Sequence, residues 1–267
     1  MNPLSVGNVV SAGLRIYRDR FLTYFRLAFI AYLWIFVPIY GWAKFSSIMG
    51  LISRLAFGEV RERPETVTEA NRYVKPRLWK FFGAGILVAL IFLVAIIVTS
   101  FIFGILLAII GFLAGGEPTT TTIITVVLLT LVGILLFIFI ITWLLSRLLI
   151  TECPLAIEEN INATTAISRS WQLTKGSVFR LQLIVFVAFL ISLPISIIVQ
   201  IASAIIQGLL GAIFPADSGI LIFLLVLAIA AISISSGALM IPFWQAIKAV
   251  IYYDLRVRRE GFDMEIG

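Results

Sequence analysis

Histidine is absent from this 267-residue chain, cysteine occurs once (Cys153), and charged residues make up only 13% of it. Without histidine there is no imidazole acid or base and no histidine-bearing metal site. A single thiol allows no intrachain disulfide and no cysteine cluster. We therefore expect no catalytic residue, no metal and no cofactor. The scarcity of charge has the larger consequence. With 61% hydrophobic residues and a mean hydropathy of +1.11, the chain has too little polar surface to cover a core in water. It reads as an integral membrane protein with no sizeable soluble domain. Its first apolar run follows Arg15, Arg18, Arg20 and Arg26 and lacks a small-residue cleavage site, so we expect it to be retained rather than removed as a signal peptide.

What the chain does have is long uncharged runs. There are 36 residues between Lys80 and Glu117, 29 between Glu117 and Arg147, 36 between Arg180 and Asp217, and 30 between Asp217 and Lys248. Each exceeds the roughly 20 apolar residues that cross about 30 Å of hydrocarbon. "AGGEPTTTT" (114–122) and "FPADSG" (214–219) carry the Gly, Pro and Asp of hairpin-closing turns. Runs of 36 residues would be about 54 Å long as helix, so they must tilt, break or overshoot. Pro194 is the expected kink in the second.

Of the 20 basic residues, 19 fall in alternate polar segments, and Lys44 is the exception. The positive-inside rule then predicts that both termini are cytoplasmic. Residues 5–26 and 54–80 must both be inside, so an even number of crossings separates them. Phe21–Tyr40 is long enough to span if Arg26 snorkels. The return, 41–57, is marginal because Lys44 and Arg54 are ten residues apart, about 15 Å of helix. It is either a short helix with Lys44 at the outer interface or part of a re-entrant or interfacial hairpin. The expected fold is all-α, a single polytopic membrane domain over 1–267 with six transmembrane helices in three hairpins, each preceded by a cytoplasmic interfacial helix. The boundaries are an interfacial helix at 5–20, a hairpin at 21–58, an interfacial segment at 65–80, a hairpin at 81–151, an interfacial helix at 162–176, a hairpin at 178–253 and a tail at 254–267.

The interfacial helices have readable ends. Asn162 can cap a helix that Gly176 ends, with Ala163, Ala166, Ile167, Ser170, Trp171 and Thr174 on one face. Ser5 can cap another, with Val6, Val9, Val10, Gly13 and Tyr17 sharing a face. Thr66 and Glu69 form a capping box in the middle segment. Ala12, Arg15, Tyr17, Phe25 and Arg26 recur in spacing as Ala166, Arg169, Trp171, Phe179 and Arg180, which suggests a repeated unit. On this reading Arg15, Tyr17, Arg26, Arg169, Trp171, Arg180, Asp254 and Arg256 are inner-interface anchors at the headgroup level.

The long runs hold no ionisable residue of the kind a proton-coupled carrier places at mid-membrane. They do hold Ser192, Ser196, Gln200, Ser203 and Gln207, spaced 4, 4, 3 and 4 on one helical stripe. This stripe is either a polar path or lipid-headgroup groove, or a helix-packing face. Ser233, Ser236 and Gly237, and likewise Gly104, Ala108 and Gly111, read as close-packing patches. Glu152, Glu158 and Glu159 are expected to meet Arg147, Arg169 and Arg256 as interfacial ion pairs.

The segment "CPLAIEENINATTAISRSWQLTKGSVFRL" (153–181), with Glu159, Arg169, Ser170, Trp171, Lys175, Gly176 and Arg180, resembles a motif of a broad group of prokaryotic multi-span proteins. That group includes the membrane domain attached to some glycerophosphodiester phosphodiesterases. The ending "YYDLRVRREGFDMEIG", with Tyr253, Asp254, Arg256, Arg258, Glu260, Gly261 and Asp263, is similar to the group's usual ending. The resemblance implies a six-span fold in a prokaryotic inner membrane. It does not imply phosphodiesterase activity, because the catalytic barrel of those enzymes is a separate, histidine-bearing domain. The functional expectation is a non-enzymatic membrane protein that organises lipid or serves as a subunit or assembly factor of a membrane complex. The alternative is a permease or lipid carrier for a neutral or amphiphilic solute. Expected partners are anionic lipid headgroups and a membrane protein, and not nucleic acid.

Overall fold

A computed structural model describes residues 4–113, 119–215 and 218–261. Among these residues the fold is all-helical. The order is α1 (Val6–Asp19), α2 (Phe21–Trp34), α3 (Tyr40–Val60), α4 (Val67–Val74), α5 (Leu78–Leu113), α6 (Thr120–Leu148), α7 (Glu152–Ile157), α8 (Ala163–Thr174), α9 (Val178–Ile213) and α10 (Gly219–Glu260). One 3₁₀ turn, Lys75–Arg77, carries Pro76 and joins α4 to α5. Residues 114–118, with Glu117, and 216–217, with Asp217, lie outside the described residues, as does the tail from 262 with Asp263.

The local signals act where the sequence places them. Ser5 accepts the Asn8 N–H at 3.2 Å to start α1. Thr66 and Glu69 close a reciprocal capping box on α4. Asn162 accepts the Thr165 N–H at 2.9 Å to start α8. Gly176, at φ 76°, supplies the left-handed turn between α8 and α9, a conformation that a Cβ disfavours. Helix α9 runs on as an α-helix through Pro194.

Four helices are long and apolar enough to cross a membrane: those containing α5, α6, α9 and α10. At 36, 29, 36 and 42 residues they reach about 54, 44, 54 and 63 Å, all beyond the hydrocarbon thickness. The hairpin expected at 21–58 is made of two shorter helices, α2 and α3. Helix α2 has 14 residues, about 21 Å, short of a full crossing. Helix α3 has 21 residues, but nearly all of Ser47–Gly58 is buried by protein. Its wealth of small residues suits it to close packing, not to a lipid face.

The core lies at the basic end. The last third of α10 is its axis: Ile247, Val250, Ile251, Tyr252 and Leu255 are fully or almost fully buried and pack with Val9 and Val10 of α1, Tyr24 of α2, Ile52 of α3 and Leu181 of α9. Two close approaches fix the packing. A Cβ on Gly13 would lie 2.7 Å from Ile247 Cγ1, so α1 rests directly on α10. A Cβ on Gly237 would lie 2.0 Å from the Tyr32 hydroxyl, so α2 lays its tyrosine into the small-residue patch of α10. The apolar face of α1 is thus turned onto protein.

Away from this end α5 and α6 lose their burial. Beyond Ala84 helix α5 has no buried residue, and before Leu144 neither has α6. Gly104 and Gly111 do not mediate close packing, since a Cβ on either would meet nothing within 4 Å. Helices α5 and α6 touch where Gly133 faces the Phe103 ring.

Candidate functional site

The charged residues of the basic end are assembled into clasps. Asp254, whose side chain is 2% exposed, accepts the Leu4 N–H at 2.9 Å, Arg180 Nη1 at 2.7 Å and Arg258 Nε at 2.9 Å. Arg180 and Arg258 also donate to the Leu4 carbonyl, at 2.6 and 2.9 Å. One buried carboxylate therefore joins the chain entering α1, the first turn of α9 and the end of α10. A buried charge is tolerable where its lone pairs are filled this way.

Glu158 is the hub of a second clasp. Its carboxylate accepts Arg169 Nε at 3.0 Å and the Tyr252 hydroxyl, and its carbonyl accepts the Tyr73 hydroxyl and Arg77, both at 2.6 Å. Arg54 grips Glu65 through two nitrogens at 2.7 and 2.8 Å, and Arg54 and Arg77 lie 3.9 and 3.7 Å from the centroid of the Tyr73 ring. Arg169 bridges Glu158 and Glu260, the latter at 2.5 Å, and Arg256 also pairs with Glu260 at 3.0 Å. Partial burial disfavours charge on Arg169, but its hydrogen bond to the Glu158 carboxylate and the fields of Glu158 and Glu260 outweigh it and raise its pKa.

Arg147 departs from expectation. No acidic residue pairs with it among the described residues. It is 8% exposed, donates to the Trp171 carbonyl at 3.0 Å and lies 4.5 Å from the centroid of the Trp171 ring, while its Nε has no partner. The carboxylate of Glu152 goes instead to Lys248, at 2.7 Å. Trp171 stands edge-on to Trp143, with centroids 5.2 Å apart, so it lies against protein and a buried cation.

The eight anchor residues therefore divide. Arg169, Trp171, Arg180 and Asp254 make tertiary contacts with protein, and Arg256 pairs within α10 with Glu260, which Arg169 also holds. Tyr17 donates its hydroxyl to the Leu239 carbonyl at 2.8 Å, and burial pushes its pKa up to about 12, so it is a neutral donor at physiological pH. Arg15 and Arg26 are exposed and make no ion pair among the described residues. The two similarly spaced sequence units are thus alike in helix order and unlike in contacts: the arginines of the second are clasped, and those of the first are open.

The polar stripe falls on α9, buried at Ser192, half-buried at Ser196 and Ser203, and exposed at its two glutamines. Ser192 is buried and donates to the Phe189 carbonyl at 2.7 Å, and Ser196 donates to the Ser192 carbonyl at 3.2 Å. Gln207 donates to the Ser203 hydroxyl at 2.9 Å, while Gln200 and Gln207 are exposed. From Arg180 the axial distances are about 18 Å to Ser192, 30 Å to Gln200 and 40 Å to Gln207. The two glutamines thus lie a full hydrocarbon thickness or more from the basic end.

The larger concavity is elsewhere. Between α6 and α9, with Trp244 of α10 also lining it, runs a groove of about 730 Å³ whose walls are apolar, Ile138, Phe139, Val185 and Phe186 among them, except at Thr142, Ser146 and Gln182. Its polar contact is Gln182 Nε2 donating to Thr142 Oγ1 at 3.4 Å. Hydropathy did not reveal this groove, because its walls read as ordinary membrane sequence. The pairing of two interrupted stretches, 135–149 and 182–189, is set by how α6 and α9 lean together. Comparison with family models, with curated proteins and with solved structures finds no match to this chain.

Proposed function

We propose that this chain is a non-enzymatic integral membrane protein that organises lipid, with its clasped core at the cytoplasmic side of a prokaryotic inner membrane and both termini cytoplasmic. The observation that carries this reading is the contrast between the two ends of the long helices. Helices α5 and α6 bury side chains only at the basic end and leave apolar flanks along the rest, and a groove opens between α6 and α9. In hydrocarbon such a groove is filled by acyl chain, and packing, not a hydrophobic drive, then decides what is held. Open cations at Arg15, Arg26 and Lys175, together with exposed Trp79 and Phe179, suit anionic headgroups, at about 1 kcal/mol for each well-placed charge. In the same reading α2 and α3 form a re-entrant hairpin: α2 enters with Phe29, Ile30 and Leu33 towards lipid, and α3 returns inside the protein.

A second reading, a subunit or assembly factor, draws on Gln200 and Gln207, whose exposed amides on a spanning helix favour a protein partner. Native mass spectrometry of the protein extracted from its own membranes separates the two. Retained lipid that is lost on filling the groove with Val185→Trp supports lipid organisation. A stoichiometric protein partner and no retained lipid would replace it with the assembly role. A defined small solute in place of either would point to a carrier.

A further inference from the structure

A second cavity, of about 220 Å³, lies inside the bundle at the basic end, between α3, α5, α7 and α10. Its walls are apolar except at one side, where Lys248 Nζ meets Glu152 Oε1 at 2.7 Å and Ser46 and Thr151 contribute hydroxyls. The two charged side chains line the cavity and keep 21% and 24% of their surface accessible. Lysine has three donors and a carboxylate two oxygens; the Lys248–Glu152 bond uses one of each. Two N–H groups and one oxygen remain for an occupant.

The cavity shares Phe45, Ser46 and Gly85 with a shallow depression that continues outward past Trp42, Phe82 and Ile86. Trp42 is 48% exposed and Phe82 partly so. The entrance is therefore apolar and aromatic and leads from the flank of the bundle, between α3 and α5, to an ion pair at its inner end. An amphiphile whose polar head enters first fits that order.

We propose that this cavity is a binding site for a compact zwitterionic headgroup, a phosphate together with a primary ammonium, of a membrane lipid. The site's own charges cancel, so a net-neutral head matches it and a net-anionic head leaves one negative charge uncompensated. The phosphate takes the spare donors of Lys248, and the ammonium gives a hydrogen bond to the free oxygen of Glu152. A quaternary ammonium has no N–H to give and is bulkier, so a choline head is selected against. The open arginines attract anionic lipid from outside the bundle; this site selects a different headgroup, at a different place from the acyl-chain groove.

The test uses the full chain in nanodiscs holding equal amounts of phosphatidylethanolamine, phosphatidylcholine and phosphatidylglycerol, with retained lipids counted by native mass spectrometry. One phosphatidylethanolamine is expected to be held in preference to the other two. Gly85→Leu places a side chain in the entrance, where a Cβ meets nothing within 4 Å, and leaves the ion pair intact. The combined Lys248→Met and Glu152→Gln change removes both charges without orphaning either. Gly85→Leu blocks the way in and the double variant removes the charge-assisted hydrogen bonds to the head, so each should lower retention of that lipid by about tenfold or more. Lipid held in the α6–α9 groove should be unaffected, so failure at one site is distinguishable from failure at the other. Equal retention of the three lipids, or an unchanged lipid count in the Gly85→Leu protein with its sole cysteine still shielded, would overturn the proposal. So would a site that takes free phosphoethanolamine in detergent but never the lipid, since the membrane-side entrance would then have no use.

Discussion

Removing the Asp254 carboxylate tests whether the basic end is held by clasps or by apolar packing alone. Asp254→Ala deletes the acceptor of the Leu4 N–H, Arg180 and Arg258 together. Arg258 is 30% exposed and can turn to water, so its share is small. Arg180 is 22% exposed and retains the Leu4 carbonyl, while the Leu4 N–H loses its acceptor. Breaking a buried pair from one side costs about 3–5 kcal/mol, and the partial exposure of Arg180 brings the expected loss to about 2–4 kcal/mol. In a chain of this size that corresponds to a fall of roughly 5–15 °C in apparent melting temperature. The protein carries its own reporter: Cys153 is its sole cysteine and is fully buried, so a thiol-reactive dye lights up on opening of the core. Asp254→Asn keeps an acceptor for Leu4 and should lose less, and the Arg180→Ala, Asp254→Ala double variant should be less than additive. If Asp254→Ala melts within about 1 °C of the parent, or the two losses simply add, the clasp has no energetic role and the reasoning fails.

Tyr17→Phe removes one hydrogen bond to the Leu239 carbonyl and should cost about 1 kcal/mol at neutral pH by the same dye assay. Because burial raises its folded pKa to about 12, above the ordinary tyrosine value of about 10, the parent should lose stability as pH rises between those values, and the phenylalanine variant should lack that increment; identical alkaline profiles would exclude it. Gly237→Val drives a side chain into the Tyr32 ring and should destabilise by about 1–3 kcal/mol, whereas Gly104→Val, with nothing within 4 Å, should stay within about 0.5 kcal/mol; a reversed order would refute the placement of α2 on α10. In a Cys153→Ser background, cysteines introduced at Phe36 and Thr121 separate the two forms of the first hairpin. A membrane-impermeant reagent added from outside should label Thr121→Cys and leave Phe36→Cys untouched if the hairpin is re-entrant, and should label both if it spans.

The capped helix starts and the four long apolar helices were legible because each depends on neighbours a few residues apart, whereas α7 was not. Ser5, the Thr66–Glu69 box, Asn162 and Gly176 act within one turn, and an uncharged run of 29 or more residues cannot be other than long apolar helix in a membrane chain. The ion-pair layer was also visible in outline, since Glu158–Arg169 lies within 11 residues.

What the sequence by itself determined is therefore the class of the protein, its four long apolar helices and the position of its basic segments. Tertiary structure decided the partners. Asp254 meets Leu4 across 250 positions, Lys248 meets Glu152 across 96, and Arg147 finds an indole and carbonyl oxygen in place of a carboxylate. Hydropathy alone could not distinguish α3, sunk in protein, from a helix bathed in lipid, since both surroundings are apolar; only the packing of α10, α2 and α5 around it makes that choice. The same physics hid both cavities. Their walls come from segments far apart in the chain, and a cavity exists only where helices that each satisfy their own backbone fail to touch.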